Sequence, residues 1–261
     1  MVLRPMRWVT LAFASFLAAC ASAPGVDRSF TAMGQDSRIQ FIVIHFTSTD
    51  FAEGLAVLTQ GPVSSHYLVR DHPVVVYQLV DDSRRAWHAG ESSWQGNTQL
   101  NAASIGIEIV NRGDRDGGWQ DYPPAQIDAV VALVKRLVRE YGVKPDHIVG
   151  HSDIAPQRKV DPGPKFPWKR LADEGLVPWP DAAKAAASRA QYEANLPGAA
   201  WFQDQLEKIG YDVPHSGVLD EETRRVIAAF QMRYRPQQYD GKPDAETAAL
   251  LDALESSSQP D

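Results

Sequence analysis

The chain of 261 residues contains one cysteine, Cys20, and this scarcity limits how it can be stabilised. Without a second cysteine no disulfide can form within the chain, so stability in an oxidising compartment must come from packing. An apolar fraction of 44% and a charged fraction of 23% are ordinary values for a globular protein. The length suits one substantial core plus a small second module, so we expect two domains.

The chain also lacks a cluster of lysine and arginine residues. Its formal net charge at pH 7 is −7, and removal of residues 1–20, which carry two arginines and no acidic residue, brings the count to −9. A chain of this kind has no electrostatic footprint for phosphates. We therefore expect no nucleic acid among its partners.

An apolar stretch over residues 8–19 is too short to span a bilayer as a mature helix. It follows two arginines, and we interpret residues 1–20 as a secretory signal peptide. The signal ends in a sequence that resembles the lipobox of bacterial lipoproteins, Leu17-Ala18-Ala19-Cys20. Cys20 would then receive a diacylglycerol and become the mature amino terminus. The alternative is a buried or incidental cysteine.

Acylation at Cys20 predicts a membrane-anchored protein, because several acyl chains bind a membrane stably where one chain binds only marginally. An aspartate after the lipobox cysteine would indicate inner-membrane retention, by resemblance to known lipoproteins, but Ala21 and Ser22 stand there. We expect the periplasmic face of the outer membrane of a Gram-negative bacterium. Residues 21–37 lack periodicity and predict a tether.

Four apolar segments have the pattern of β-strands, at residues 39–46, 74–80, 104–110 and 147–150. The first is nearly continuous, as in a strand covered on both faces, and it delivers His45 at its end. The third has isoleucine at every second position, so Glu108 must face the opposite side. His151 directly follows the fourth.

Two helices are predicted among these strands. Residues 48–50 offer capping oxygens to a helix that stops near Gly61, and a proline pair at 123–124 opens a longer amphipathic helix that stops at Gly142. Strands interleaved with helices at this spacing predict the α/β class, with a mixed central sheet flanked by helices. The order of the strands stays open.

We assign residues 38–171 to this main domain, an Ala-rich segment with prolines at 172–198 to a linker, and residues 199–254 to a small three-helix domain. The small domain contains an echo in which glycine, aspartate and threonine recur three residues apart, as Gly217, Asp220, Thr223 and as Gly241, Asp244, Thr247. The two aspartates suit helix N-caps. A binding role for the domain stays open beside this structural one.

His45 and His151 each end a predicted buried strand, which is where open α/β sheets place functional side chains. Asp161 follows in a proline-rich loop that is stiff enough to hold a carboxylate in place. Two imidazoles and one carboxylate leave the fourth tetrahedral position of zinc free for water, as catalytic sites require. A single anionic ligand keeps the site positive, which lowers the pKa of the water toward roughly 7. We predict one catalytic Zn²⁺ per chain.

The activated water still needs a base, and Glu108 is the candidate because its strand directs it away from the isoleucine face. Lys159 precedes Asp161 by two residues. In an extended segment both side chains would project to one side, which places an ammonium where an oxyanion forms. On spacing alone, a solvated loop charge explains Lys159 equally well.

Several groups of residues, taken in this order, resemble the N-acetylmuramoyl-L-alanine amidases, zinc enzymes related to phage lysozyme-type amidases and peptidoglycan recognition proteins. The groups are His45 after its strand, Ser64-Ser65-His66-Tyr67, Ala86-Trp87-His88-Ala89-Gly90, Ser104-Ile105-Gly106-Ile107-Glu108 with Asn111, and His151-Ser152-Asp153-Ile154-Ala155-Pro156 through Lys159, Asp161, Pro162 and Gly163. The region from Trp201 to Leu250 resembles the three-helix peptidoglycan-binding domain. The resemblance covers nearly the whole chain.

This resemblance implies hydrolysis of the amide between N-acetylmuramic acid, or its anhydro form, and L-alanine in peptidoglycan and muropeptides, in cell-wall turnover or recycling. It implies zinc bound by the two histidines and Asp161, with Glu108 and Lys159 catalytic. Many relatives have a cysteine as third ligand and a tyrosine in place of Glu108. Since thiolate and carboxylate carry the same charge, the argument for the metal holds.

The resemblance also places five residues near the substrate: His66, Tyr67, Trp87, His88 and Asn111. Packing at the wall of the cleft explains His66, Trp87 and His88 equally well. We expect a monomer that binds peptidoglycan.

Three other functions compete with this one. A recognition protein with the same fold but no hydrolysis normally lacks a metal ligand, and all three are present here. A serine hydrolase would use Ser152, but no Gly-x-Ser-x-Gly elbow surrounds it. A glycosidase with paired carboxylates would not need two histidines at strand ends.

Overall fold

The computed structural model describes residues 26–27, 29–115 and 117–255, and the chain divides into two compact units, 1–36 and 37–261. The described part of the first unit contains no helix or strand. The predicted signal peptide, Cys20 and the start of the predicted tether lie outside the described residues. Among the residues that are described, no helix has the length and hydropathy needed to cross a membrane.

A five-stranded sheet forms the centre of the second unit. Its strands are β1 Phe41–Phe46, β2 Tyr67–Val69, β3 Val76–Gln78, β4 Ser104–Ile109 and β5 Ile148–Gly150. The order is β3-β2-β4-β1-β5, with β3 antiparallel to β2 at one edge and the other pairs parallel. The predicted mixed sheet is confirmed. The strand β2 was not predicted.

The helices of the described residues are α1 Phe51–Gln60, α2 Leu100–Ala103, α3 Pro124–Tyr141, α4 His151–Ile154, α5 Trp168–Ala172, α6 Ala182–Ala194, α7 Ala199–Ile209, α8 Glu221–Tyr234 and α9 Ala245–Glu255. The Asp50 side chain accepts two backbone N–H groups at the start of α1, and α3 ends at Gly142 in the left-handed conformation with φ 68°. Both boundaries were predicted. The segment 172–198 contains α6, which packs against α9.

Different parts of the chain cover the two faces of the sheet. On one face, six isoleucines of β1, β4 and β5 are buried against α3: Ile42, Ile44, Ile105, Ile107, Ile109 and Ile148. On the other face, Phe41, Val43 and Val149 share one apolar cluster with residues of α7 and α8 such as Phe202 and Phe230. The C-terminal helices therefore supply the second layer that the sheet needs to bury its apolar side chains.

The repeated glycine, aspartate and threonine residues take part in two equivalent sets of hydrogen bonds, each centred on one glutamine side chain; we call each set a bracket. In each bracket a buried glutamine accepts from the glycine N–H and donates to the next carbonyl and to the threonine hydroxyl. The first bracket joins Gln203 to Gly217, Val218 and Thr223, and the second joins Gln231 to Gly241, Lys242 and Thr247. Asp220 and Asp244 each accept the threonine N–H at 2.8 Å, which confirms the predicted caps. The echo thus has a structural role.

Candidate metal centre and active site

Three parallel strands deliver polar side chains to one edge of the sheet. His45 is the second-to-last residue of β1, and Glu108 is its register partner on β4. His151 follows β5 directly. Side chains alternate along a strand, so His45 shares its face with Phe41 and Val43, the face that α7 and α8 cover farther back. The polar groups meet at the carboxyl ends of β1, β4 and β5.

Nδ1 of His45, Nδ1 of His151 and Oδ2 of Asp161 form a nearly equilateral triangle. The two nitrogens are 2.9 Å apart, and they lie 3.1 Å and 3.0 Å from the oxygen, respectively. All three side chains are buried. Ligands held at about 2.0–2.1 Å from a tetrahedral zinc lie roughly 3.3 Å from one another. The triangle therefore has nearly the dimensions of three zinc ligands.

Two hydrogen bonds to backbone carbonyl groups hold the loop that carries Asp161. The N–H of Ser152 donates to the Asp161 carbonyl at 2.8 Å, and the Tyr122 hydroxyl donates to the Pro162 carbonyl at 2.7 Å. Burial alone would raise the pKa of Asp161, but its interactions with His151 and then His45 outweigh burial and lower that pKa well below its usual range. The carboxylate is therefore ionised at neutral pH.

Both histidines turn Nδ1 toward this carboxylate. Nε2 of His151 lies 3.1 Å from the carbonyl oxygen of Ala89, which can only accept, so Nε2 carries a proton and Nδ1 is the nitrogen left to bind a metal. Burial, followed by the charge of His151, lowers the pKa of His45 to about 4, so the His45 ring is neutral at pH 7. Electron pairs that converge in this way are stabilised by a cation, and two nitrogens with one carboxylate oxygen suit zinc.

Glu108 lies beside the triangle with a free carboxyl oxygen. Its Oε2 is buried and has no hydrogen-bond partner within the described part of the chain. Burial, followed by the charge of Asp161, raises the pKa of Glu108 to about 8, although the charge of Lys159 opposes this shift. A carboxyl group with a pKa near neutrality and an unused oxygen is suited to proton transfer.

A cavity of about 340 Å³ joins these groups. It is lined by all three members of the triangle, by Glu108 and by the partly buried Lys159. The five residues that the sequence selected for chemistry therefore meet around one space. Ser152 is buried and is not among the described residues that line the cavity, so a serine nucleophile finds no support there.

Comparison with known proteins identifies the family. Residues 35–164 match the family model of N-acetylmuramoyl-L-alanine amidases, and residues 195–251 match that of a peptidoglycan binding domain. The chain is 42% identical over 271 residues to the N-acetylmuramoyl-L-alanine amidase AmiD of Escherichia coli (strain K12), an alignment that covers 97% of this chain and 98% of AmiD. The chain belongs to the N-acetylmuramoyl-L-alanine amidase family.

A shorter relative and two solved structures agree with this assignment. The 1,6-anhydro-N-acetylmuramyl-L-alanine amidase AmpD of Enterobacter cloacae is 46% identical over 102 residues, which are 39% of this amidase and 51% of AmpD. AmpDh3 from Pseudomonas aeruginosa superposes with a TM-score of 0.85 at 39% identity, over 90% of this amidase and 98% of that chain. The structure of AmiD from E. coli in complex with the substrate anhydro-N-acetylmuramic acid-L-Ala-D-gamma-Glu-L-Lys superposes with a TM-score of 0.80 at 42% identity. The superposition covers 90% of this amidase and 96% of that chain. The central sheet and the C-terminal helices of this amidase thus recur together.

The residues predicted near the substrate of the amidase fall into two groups. Trp87, which is 55% exposed, and His88 line the cavity. His66, Tyr67 and Asn111 are buried and are not among the described residues that line it. They bond within the protein instead: His66 to the backbone of Arg84 and Gly106, Tyr67 to Asp82, and Asn111 to the backbone of Gln120 and Gly113.

Other residues complete the cavity of the amidase and were not singled out from the sequence. Arg158 lines it next to Lys159, and its guanidinium donates to the carbonyl of Ala89. Three partly exposed valines, Val57, Val63 and Val160, add apolar surface. The position of Arg158 directly before Lys159 could have indicated from the sequence that Arg158 lies at the site. No sequence pattern indicates the three valines, because they come from α1 and two separate loops that meet only in the fold.

Proposed function

We propose that this chain is a zinc-dependent hydrolase that cleaves the amide between N-acetylmuramic acid, or its 1,6-anhydro form, and L-alanine in peptidoglycan and muropeptides. The buried triangle of His45, His151 and Asp161, with Glu108 in the same cavity, carries the proposal. The family supports it, and so does the complex of AmiD with an anhydro-muramyl peptide substrate. An enzyme of this kind serves cell-wall turnover or recycling.

One Zn²⁺ per chain would be held by the Nδ1 atoms of His45 and His151 and by Oδ2 of Asp161. When bound there, zinc polarises the amide carbonyl and lowers the pKa of a water toward roughly 7. The single carboxylate charge keeps the centre positive.

The protein side chains move the proton and stabilise charge. In its ionised form, which a bound cation would favour, Glu108 accepts a proton from the attacking water at its free Oε2 and delivers it to the amine nitrogen of L-alanine as the C–N bond breaks. Lys159 lines the same cavity and offers an ammonium to the negative charge that develops on the amide oxygen. Between them, these two residues supply the general base and the electrostatic stabiliser.

The cavity surface fits a sugar joined to an acidic peptide. Trp87 offers a flat, exposed ring to the face of a sugar. Arg158 and Lys159 bring two positive charges to the wall, which suit the carboxylates of a stem peptide. Relatives named as amidases of N-acetylmuramoyl-L-alanine and 1,6-anhydro-N-acetylmuramyl-L-alanine support this choice of ligand.

We extend the proposal to the location of the enzyme. Cys20 would carry the lipid anchor and residues 21–37 would tether the enzyme to the periplasmic face of the outer membrane. Residues 38–171 would act as the catalytic domain, 172–198 as the linker and 199–254 as the peptidoglycan-binding-like domain of a monomer. A peptidoglycan substrate agrees with a periplasmic location.

Digestion of a purified anhydro-muropeptide by the full-length protein tests the function, with products identified by mass. We expect release of the sugar and of a peptide with a free L-alanine amine, lost with a chelator and restored by zinc. Binding without cleavage would identify a recognition protein instead. Cleavage that resists chelator but stops with a serine-directed inhibitor would implicate Ser152, and products cut between sugars would indicate a glycosidase.

A further inference from the structure

A series of hydrogen bonds leads from His45 away from the cavity and ends at a backbone carbonyl. Nε2 of His45 lies 3.0 Å from Nδ1 of His88, and Nε2 of His88 lies 3.2 Å from Oγ of Ser104. The Ser104 hydroxyl donates in turn to the carbonyl of Leu100. All four residues are buried. We refer to His45, His88, Ser104 and Leu100 as the imidazole relay.

The carbonyl at the end sets the direction of each proton in the imidazole relay. It can only accept, so Ser104 donates its one proton to Leu100 and must accept from Nε2–H of His88. A neutral imidazole carries a single N–H, and with that proton on Nε2 the Nδ1 atom of His88 is an acceptor. His45 must then donate from Nε2. Its Nδ1 is left bare, and this atom faces Asp161.

The surroundings hold His88 in this orientation. A Cβ on Gly106 would lie 2.5 Å from Cγ of His88, so the ring occupies space that any other residue at 106 would fill. The backbone N–H groups of His88 and Ala89 both donate to Oδ1 of Asn101, at 2.9 and 2.8 Å. Since the Ala89 carbonyl also accepts from His151, these two adjacent residues contact both histidines of the triangle.

We propose that His88 is a positioning residue that keeps His45 in the Nε2–H tautomer and so leaves Nδ1 of His45 free for the metal. This inference rests on the proposed zinc function. Both ring nitrogens of His88 are engaged in the imidazole relay, so His88 offers no polar ring atom to a substrate. Without an acceptor at residue 88, the His45 proton moves to Nδ1, where Oδ2 of Asp161 accepts it at 3.1 Å, and that tautomer cannot bind a metal through Nδ1.

Two substitutions at one position test this role. His88→Leu removes the acceptor, whereas His88→Asn keeps one, because its Oδ1 is bonded to Cγ as Nδ1 is in histidine. The zinc dissociation constant of each full-length variant is measured by competition with a chromophoric chelator. We expect His88→Leu to weaken zinc binding about 10–100-fold, the usual effect of removing a partner of a metal-bound histidine. His88→Asn should stay close to the parent.

The tautomer itself gives a readout that a merely structural role would not change. In ¹⁵N-histidine NMR spectra of the metal-free protein at pH 7, the parent should show the His45 proton on Nε2. His88→Leu should show it on Nδ1. The His45 signal is assigned by its loss in His45→Gln.

Ser104→Ala provides a second variant that touches no member of the triangle. It removes the far end of the imidazole relay, so we expect weaker zinc binding, with a smaller loss than in His88→Leu. Ser65→Ala is the matched control, because it deletes a fully buried hydroxyl that has no hydrogen-bond partner among the described residues. Zinc binding by this control should equal that of the parent. Thermal melting of the metal-free variants shows whether each one folds.

The outcomes separate the inference from the function on which it rests. Parental zinc affinity in His88→Leu, or an unchanged His45 tautomer, overturns the role of His88. If His88→Leu does not fold, parental affinity in Ser104→Ala overturns it. A parent protein that neither binds zinc nor cleaves muropeptide overturns the proposed function itself.

Discussion

The hydroxyl of Tyr211 donates a 2.8 Å hydrogen bond to Oδ1 of Asp153, two residues after His151. Oδ2 of the same carboxylate accepts from Arg233 of α8 and from the N–H of Gly150. Burial and the charge of Asp153 raise the pKa of Tyr211 well above its usual value, so this hydroxyl keeps its proton. The C-terminal helices thus hold the segment that carries one histidine of the triangle.

Replacement of Arg233 by methionine should destabilise the protein, because it leaves the Asp153 carboxylate buried without its charge partner. The two side chains are 4% and 1% exposed, and breaking one side of a buried pair costs about 3–5 kcal/mol. Urea denaturation of the metal-free protein measures the change. Arg189→Met is the control, because its pairs with Glu193 and with Glu246 are both solvent-exposed and should contribute little. Equal effects of the two substitutions would contradict the buried-pair argument.

Glu108→Gln should retain zinc and lose turnover, because the amide cannot accept the proton of the attacking water. General-base contributions of this kind are about 10²–10⁴-fold in rate. Steady-state kinetics on an anhydro-muropeptide, together with the zinc content of the variant, make the measurement. A near-parental rate would remove Glu108 from the role of base and leave the proposed ligands untouched.

The same variant should change how stability depends on pH. The pKa of Glu108 rises from 4.5 to about 8 in the folded, metal-free protein, so between these values the folded state keeps a proton that the unfolded state releases. The free energy of unfolding therefore falls as pH rises through this window. Glu108→Gln removes the effect and should be more stable than the parent at pH 7 by ~3 kcal/mol. At pH 4 the two should be equal, and urea denaturation in chelator at both pH values compares them. Parallel pH profiles would contradict this expectation.

Lys159→Met should lower kcat about 10²–10³-fold, the usual effect of removing a group that stabilises an oxyanion. Zinc affinity should stay at the parental level, since Lys159 is not part of the triangle. Lys165→Met provides a comparison within the same loop region, because the Lys165 side chain is exposed and paired with Asp121. Turnover in Lys165→Met should match the parent. A loss of zinc in Lys159→Met, with kcat per bound metal unchanged, would count against the electrostatic role.

The part of the site that lies on long strands could be predicted from the sequence. Alternation in β4 places Glu108 opposite the isoleucines, and the end of β1 places His45 at the sheet edge. These inferences need only the two-residue period and the rule that parallel strands end together. The convergence of Asp161 on the histidines depended on a loop, and the loop stiffness given by its prolines was the sole local signal.

The contacts of His88 could not be predicted from the sequence, because each one joins segments without a shared period. His88 lies in a loop, Ser104 begins β4, and they meet only when Gly106 leaves space for the ring. Tyr211 and Asp153 are 58 residues apart and belong to regions that the sequence assigns to different domains. A linear pattern does not show which apolar face covers which sheet.

The apolar cluster around Phe41, Val43 and Val149 has a consequence for how this enzyme can diverge. Because α7 and α8 complete that cluster, the central sheet of this enzyme would expose apolar side chains if it were expressed or moved to another protein without these two helices. Residues of α8 such as Phe230 must change in step with the strands they touch, even where no ligand contacts either. Loss of the gene segment that encodes α7 and α8 would therefore expose Phe41, Val43 and Val149 and remove one side of this apolar cluster.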